Sequence, residues 1–317
     1  MLTIAVQMDP LESINIAGDS TFALMLTAQA RGHRLFHYTA DALNYSDGRV
    51  WVNAHPVTVE RVVGKHFSFG EAVDLELGEQ ADVVLMRQDP PFDLGYITAT
   101  HLLERIADRT LVVNDPASVR NAPEKVFVLD FSRFMPPTLV TRSLSEARKF
   151  LHEHGEIVVK PLHGHGGGSV FRVGHDGLNL SALIETFNAA YREPHMVQAF
   201  LPGVAKGDKR IVLVDGEVAG AINRIPGEGE FRSNLAVGGS AAKTELTAKE
   251  SEICAALGPE LKKRGLLFVG IDVIGGEWLT EINVTSPTGI VAIEKFDGVD
   301  VAAMIWDAIE AKVHPIG

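Results

Sequence analysis

The stretch Gly270-Ile271-Asp272-Val273-Ile274-Gly275-Gly276-Glu277-Trp278-Leu279-Thr280-Glu281-Ile282-Asn283 brings two carboxylates and an amide into a spacing that could hold a cation. It reads as two strands joined by a Gly-Gly turn. With Gly275 and Gly276 as the loop residues, Ile274 faces Glu277 and Asp272 faces Leu279. The period of two then puts Asp272, Glu281 and Asn283 on one face. Asp272 and Glu281 become diagonal neighbours, roughly 7–8 Å apart at the backbone, and two like charges that close call for a cation between them. An all-oxygen set suits hard Mg²⁺, with Mn²⁺ as its substitute, completed by water and nucleotide phosphates. A solvated strand face is the plainer reading. Against it, Ile271, Val273 and Ile282 already fill the opposite face, and Asn283 leads straight into Val284-Thr285-Ser286-Pro287.

A second stretch, His163-Gly164-His165-Gly166-Gly167-Gly168-Ser169, is a glycine-rich turn between two apolar runs. It is not a dinucleotide fingerprint: counting from Gly164 leaves Ser169 in the last glycine place, and Val170, Phe171 and Val173 follow where a helix should open. The Gly-x-x-x-x-Gly-Lys-Ser/Thr of a P-loop and the Gly-x-Ser-x-Gly of an esterase elbow are both absent. A plain flexible hairpin is one reading. The other is a phosphate cover, since backbone N–H groups without side chains can approach anionic oxygens closely. Two lysines favour the cover: Lys160 ends the preceding strand, and Lys125 opens the helical region before it, each a point charge for phosphate. The His163/His165 pair lacks a third ligand, so zinc is not expected.

The rest of the chain must position these groups. Its 317 residues suit two or three packed parts with a cleft between them. With 29 Lys plus Arg against 41 Asp plus Glu, a formal charge of -12, the surface should repel phosphate backbones and anionic lipid. Nucleic acid and membrane are therefore not expected partners. The single cysteine, Cys254, excludes an intramolecular disulfide, and its neighbours read as a buried helix face. No apolar run spans a bilayer and no basic leader opens the chain, which points to the cytoplasm.

Strand-like runs at 2–8, 34–38, 83–86 and 111–114 alternate with helical patterns near 22–31 and 97–108, which predicts a mostly parallel α/β sheet. Asp19-Ser20 caps the first helix. Ligands of such a sheet collect at the carboxyl ends of its strands, where Asp9, Arg87 and Asn114 fall. From Lys125 the order becomes α+β. Strands are expected at 138–141, 157–160, 169–173 and 196–200, and helices at 145–154 and 180–190. Two further strands around Asp215-Gly216, a glycine-rich loop at 226–239, a helix at 247–263, the acidic hairpin and a last helix at 299–311 complete the chain.

Lysine, lysine beside a glycine flap, and a carboxylate–carboxylate–asparagine hairpin, in that order, resemble the ATP-grasp plan. Met8-Asp9-Pro10 with Ile14-Asn15-Ile16, Met86-Arg87 with Asp89-Pro90-Pro91-Phe92-Asp93, Gly207-Asp208-Lys209-Arg210, and Glu281-Ile282-Asn283-Val284-Thr285-Ser286-Pro287 narrow the likeness. The chain resembles the prokaryotic glutathione synthetases from its first strand to about residue 311. This implies an N-terminal pre-ATP-grasp domain at 1–122 and ATP-grasp parts at 123–201 and 202–317. It also implies ATP-dependent joining of γ-glutamylcysteine to glycine through an acyl phosphate, Mg²⁺, and a homotetramer.

By the same resemblance, Lys125, Lys160, Gly164, Gly166, Gly167 and Asp208 contact ATP, with Gln198, Ala199, Phe200 and Leu201 as the adenine-side hinge. Asp19, Arg87, Asn114, Arg210, Arg224 and Ser286 serve the substrates. Arg210 faces the reacting carboxyl and phosphoryl groups. Arg232, with Asn234, Gly238 and Gly239, belongs to a loop at 225–240 that closes over the intermediate. The chain departs from the pattern at His163 and His165, where Asp and often Met are expected, and at Gln88 and Ser233, where Lys and Gly are common. Another ATP-grasp carboxylate–amine ligase remains the nearest alternative, and a non-catalytic nucleotide-binding regulator the more distant one.

Overall fold

The computed structural model describes residues 1–164, 166–227, 229–230, 232–233 and 239–313. Thr3–Gln7, Arg34–Tyr38, Val83–Met86 and Leu111–Val113 form the parallel centre of the first sheet. Thr3–Gln7 is buried throughout, as a strand covered on both faces must be. The expectation of a mostly parallel sheet holds for this centre and fails at its flank. Leu43–Ser46, Arg49–Val59, Phe67–Phe69 and Val73–Glu76 extend it antiparallel. The cue was Asp47-Gly48, both at positive φ, which close the tight turn between the first two of these strands.

Helix Ser20–Ala30 starts at Asp19, whose carboxylate accepts from the Phe22 amide at 2.6 Å. The last helix, Val301–Glu310, returns to pack on it, with Trp306 fully buried and its indole N–H donating to Leu24 O at 2.8 Å.

A four-stranded antiparallel sheet of Thr138–Thr141, Ile157–Pro161, Phe171–Val173 and His195–Ala199 is backed by helices Leu144–His154 and Leu180–Ala190. The strand expected from 169 starts only at Phe171, because Ser169 takes a left-handed φ of 57° within the glycine turn. Facing it stands a five-stranded antiparallel sheet in the order Ser240–Lys243, Glu217–Ile225, Asp208–Val214, Phe268–Ile274, Trp278–Asn283.

Helix Ala248–Lys263 supports that second sheet and opens with a capping box between Thr247 and Glu250. At Gly258 it meets Gly216 backbone to backbone, and a Cβ on either residue would lie within 2.6 Å of the other's carbonyl oxygen. Cys254 is buried in this helix, and burial pushes its thiol up to about 12, as its structural reading requires. Among the described residues no helix is long and apolar enough to cross a membrane.

Candidate active site

The two antiparallel sheets enclose a cleft. One end is apolar, walled by Pro136, Val158, Val170, Leu201 and Ile274 beside the strand end Gln198-Ala199-Phe200. Gln198 is held by Thr138 Oγ1 at 2.9 Å, and the Arg172 guanidinium stacks 3.9 Å over the Phe200 ring. The other end is charged. Lys125 donates to Gly164 O at 2.7 Å in the glycine turn, pairs with Glu124, and lies 3.3 Å from Glu281 Oε1. Lys160 approaches the same oxygen at 3.6 Å. Burial opposes ionisation of Glu281, yet Lys125 and Lys160 outweigh it and hold the carboxyl below the usual range.

The acidic hairpin differs in register from the two-residue turn expected. Ile274 pairs with Trp278 and Val273 with Leu279, so the loop is Gly275-Gly276-Glu277. A bulge then inserts Thr280, whose hydroxyl donates to Asp272 O at 3.2 Å. The two shifts set Asp272 directly opposite Glu281 instead of diagonal to it. Asp272, Glu281 and Asn283 still share one face.

Beyond Glu281 the cleft meets a second, polar cavity, edged by Asp89, Pro90, Glu124, Asn283 and Ser286. Two buried arginines stand in its wall. Arg210 grips Asp272 through Nε at 2.6 Å and Nη2 at 3.0 Å. Arg224 bridges Asp208 at 2.5 Å and Asp272 at 3.0 Å. Burial alone would raise the Asp272 carboxyl, but the two guanidiniums hold it well below the usual range. Among the described residues Arg224 and Ser233 hold one oxygen of Asp208, and burial pushes it up to about 6. Glu281 and Gly166 line both spaces, so the charged end of the cleft lies next to the arginines.

The sequence profile of the prokaryotic glutathione synthetase N-terminal domain matches residues 2–120, and that of the ATP-grasp domain of the same enzymes matches 124–298. The glutathione synthetase of Rhodopseudomonas palustris is 58% identical over 311 residues, covering 98% of this chain and 99% of the relative. That of Agrobacterium fabrum is 56% identical over 309 residues, covering 98% and 96%. The chain belongs to the prokaryotic glutathione synthetase family. The D-cycloserine synthetase DcsG superposes with a TM-score of 0.68 at 18% identity, covering 98% of this chain and all of the other. A RiPP-associated ATP-grasp ligase of Chryseobacterium gregarium gives 0.66 at 16% identity, covering 100% and 98%. These two show the ATP-grasp fold.

Within this glutathione synthetase fold, Lys125, Lys160, Gly164, Gly166, Gly167, Gln198, Ala199, Phe200, Leu201, Asp208, Arg232 and Asp272 all face the cleft. Arg210, Arg224, Asn283 and Ser286 face the polar cavity. Arg232 reaches the glycine turn, donating to Gly167 O at 3.1 Å. His165, Asn234 and Gly238 lie outside the described residues. Glu124, between Lys125 and the polar cavity, was missed by sequence reasoning. Its position next to Lys125 in a short helix was the available signal.

Three residues expected to meet substrate stand apart. Asp19 caps its helix. Arg87 donates to Thr21 Oγ1 at 3.0 Å and Pro287 O at 2.8 Å, with Nη1 left unpaired, so it braces the loop behind Ser286. Asn114 is in the lining of neither space. Its amide donates to Phe268 O at 2.8 Å and Val284 O at 2.7 Å, and its oxygen accepts from Phe268 N at 2.8 Å, which ties the first sheet to the hairpin. Asn114→Ala should therefore cost roughly 1–3 kcal/mol of stability by stranding buried backbone groups. Thermal unfolding should show it, with KM for each substrate unchanged. A raised KM at full stability would return Asn114 to the substrate site.

Proposed function

We propose that this chain is a cytoplasmic glutathione synthetase. It would join γ-glutamylcysteine to glycine with ATP and release ADP and phosphate. The observation that carries the reading is that Glu281 and Gly166 line both spaces, which sets a cleft with one apolar and one lysine-lined end beside an arginine-walled polar cavity. A phosphoryl group leaving the first would arrive at a carboxylate held in the second. Full-length identity to glutathione synthetases supports the substrates, and family membership supports a homotetramer and the division into parts at 1–122, 123–201 and 202–317.

The adenine would lie against Gln198, Ala199, Phe200 and Leu201, near Asp208. Lys125, Lys160 and the backbone of Gly164, Gly166 and Gly167 would take the phosphates. Arg210 and Arg224 would orient the donor carboxylate, whose oxygen attacks the γ-phosphorus to give the acyl phosphate. The amine then forms the C–N bond, expels phosphate and loses its proton. Most of the catalysis is positioning and charge balance. Arg232, through its contact with the glycine turn, would help keep water from the acyl phosphate.

The donor set fits a divalent cation. Asp272 and Glu281 stand side by side and both favour the ionised form, as ligation requires. The Asn283 amide donates to Gly270 O at 3.2 Å and to Asp272 Oδ2 at 3.5 Å, so it stands beside the carboxylate pair. Asp272, Glu281 and Asn283 would hold Mg²⁺, or Mn²⁺ in its place, which when bound offsets phosphate charge.

The acyl phosphate can be trapped. With γ-glutamylcysteine, ATP and Mg²⁺ but hydroxylamine in place of glycine, the enzyme should yield ADP and the hydroxamate of the cysteinyl carboxyl. If glutathione forms with glycine but no hydroxamate appears, the acyl-phosphate route is wrong.

A further inference from the structure

The four-stranded sheet turns one face to its helices and the other to the cleft. Ile157, Val159, Val173 and Val197 pack on the helices, so the residues alternating with them face the cleft. Val158, Lys160 and Gln198 are on that second face and line the cleft. Val158 pairs with Gln198 on one side and with Arg172 on the other, which puts Arg172 on the same face, in the sheet's edge strand. The Phe200 amide donates to Glu156 O at 2.8 Å, so the pairing runs one residue past the strand end. Phe200 and Glu156 are thereby set opposite each other, again on the cleft face.

These three side chains form one unit. The Arg172 guanidinium lies 3.9 Å over the Phe200 ring, and its Nη2 pairs with Glu156 Oε2 at 2.5 Å. Glu156 thus holds Phe200 twice, directly by its backbone carbonyl and, through Arg172, by its side chain. Phe200 lines the cleft, whereas Arg172 and Glu156 do not, so they act on it through that ring.

We propose that Arg172 is a positioning residue for the nucleotide: clasped by Glu156, it fixes the Phe200 ring as the end wall against which the base is bound. The inference rests on the ligase reading given above, in which the base lies against residues 198–201. Phe200 stands half-buried just past the end of its strand. A free ring there has rotamers to lose when a base arrives. A planar cation stacked on it orders the ring beforehand. The ion pair itself is partly exposed, with 42% of the Arg172 side chain and 25% of the Glu156 side chain accessible, so it adds little to stability. Its effect therefore falls on binding more than on the fold.

The test measures kcat and KM for ATP, γ-glutamylcysteine and glycine, with thermal unfolding on the same preparations. Arg172→Ala should raise KM for ATP roughly two- to fivefold, the scale of a cation–π contact at a partly exposed site, while kcat, the other two KM values and the unfolding temperature stay close to wild type. Arg172→Lys keeps the charge without the plane and should recover part of the affinity. Glu156→Gln loosens the clasp and should shift KM for ATP in the same direction by less. With Phe200→Leu already in place, Arg172→Ala should add nothing, because its effect passes through the ring. Arg172→Met, judged in the same way, covers a failure of Arg172→Ala to fold. An unchanged KM for ATP, equal increases in all three KM values, or an Arg172→Ala effect that survives in full beside Phe200→Leu would each overturn the assignment and leave Arg172 as a surface ion-pair partner. Those outcomes overturn this inference alone, whereas a wild-type enzyme that ligates nothing overturns the ligase reading with it.

Discussion

Arg210→Ala should depress hydroxamate formation by roughly 10³–10⁵-fold, the range measured for an arginine that stabilises a transferring phosphoryl group. The expectation comes from where the guanidinium stands. Two of its nitrogens grip Asp272 at 2.6 and 3.0 Å, fixing the planar group where the arginine wall meets the acidic hairpin. On the proposed reading the charge would need little rearrangement as phosphoryl charge develops beside it. Stability should suffer far less than activity, because Arg224 remains 3.0 Å from Asp272 and keeps that buried carboxylate compensated. Arg210→Lys should recover part of the rate but not the bidentate geometry. Hydroxamate assays and thermal unfolding on the same preparations check both statements. A rate within tenfold of wild type in Arg210→Ala would remove the residue from the chemistry.

The second large effect is expected at Glu281. Glu281→Gln should lower ligation by roughly 10²–10³-fold, the loss typical of one preorganised electrostatic group. The carboxylate is the shared counter-charge for Lys125 and Lys160, at 3.3 and 3.6 Å, and on the proposed reading it would also hold the cation together with Asp272, which it faces. Its removal leaves Lys125 still paired with Glu124 but deprives Lys160 of the partner that opposes its burial. The two roles separate in a thermal-shift titration. ATP should stabilise wild type more with Mg²⁺ than without it. Glu281→Gln should lose the Mg²⁺-dependent increment, and an increment of wild-type size in the variant would mean the cation is held elsewhere.

Much of this site was legible in the chain because its parts are local. A period of two is enough to put Asp272, Glu281 and Asn283 on one face, and a strand that ends in lysine before a glycine turn announces its own direction. Register was less legible. The loop of Gly275-Gly276-Glu277 and the bulge at Thr280 each add a residue, and together they preserve the shared face while changing which residues lie opposite. Asn114 shows a different limit. Its place at a strand end is a local fact, but its partners lie 154 and 170 positions away, so nothing nearby distinguishes a ligand from a clamp. The antiparallel flank between residues 43 and 76 was missed although Arg49–Val59 alternates buried Val50, Val52 and Ala54 with more exposed residues; the strands that pair with it, Leu43–Ser46, Phe67–Phe69 and Val73–Glu76, are too short to carry a period of their own. Glu124 escaped because its partner in the site, Lys125, had already been given the functional role.

The packing of Trp306 on Leu24 joins positions 282 apart. On the ribosome, the first sheet and its helix Ser20–Ala30 emerge long before Val301, Ile305 and Trp306, which complete the same core. Until then the face of that helix which packs on Val301–Glu310 has no cover, and closing it means gathering nearly the whole chain into one loop. The nascent N-terminal third must therefore wait, partly built and open to chaperones, for the end of translation to finish it.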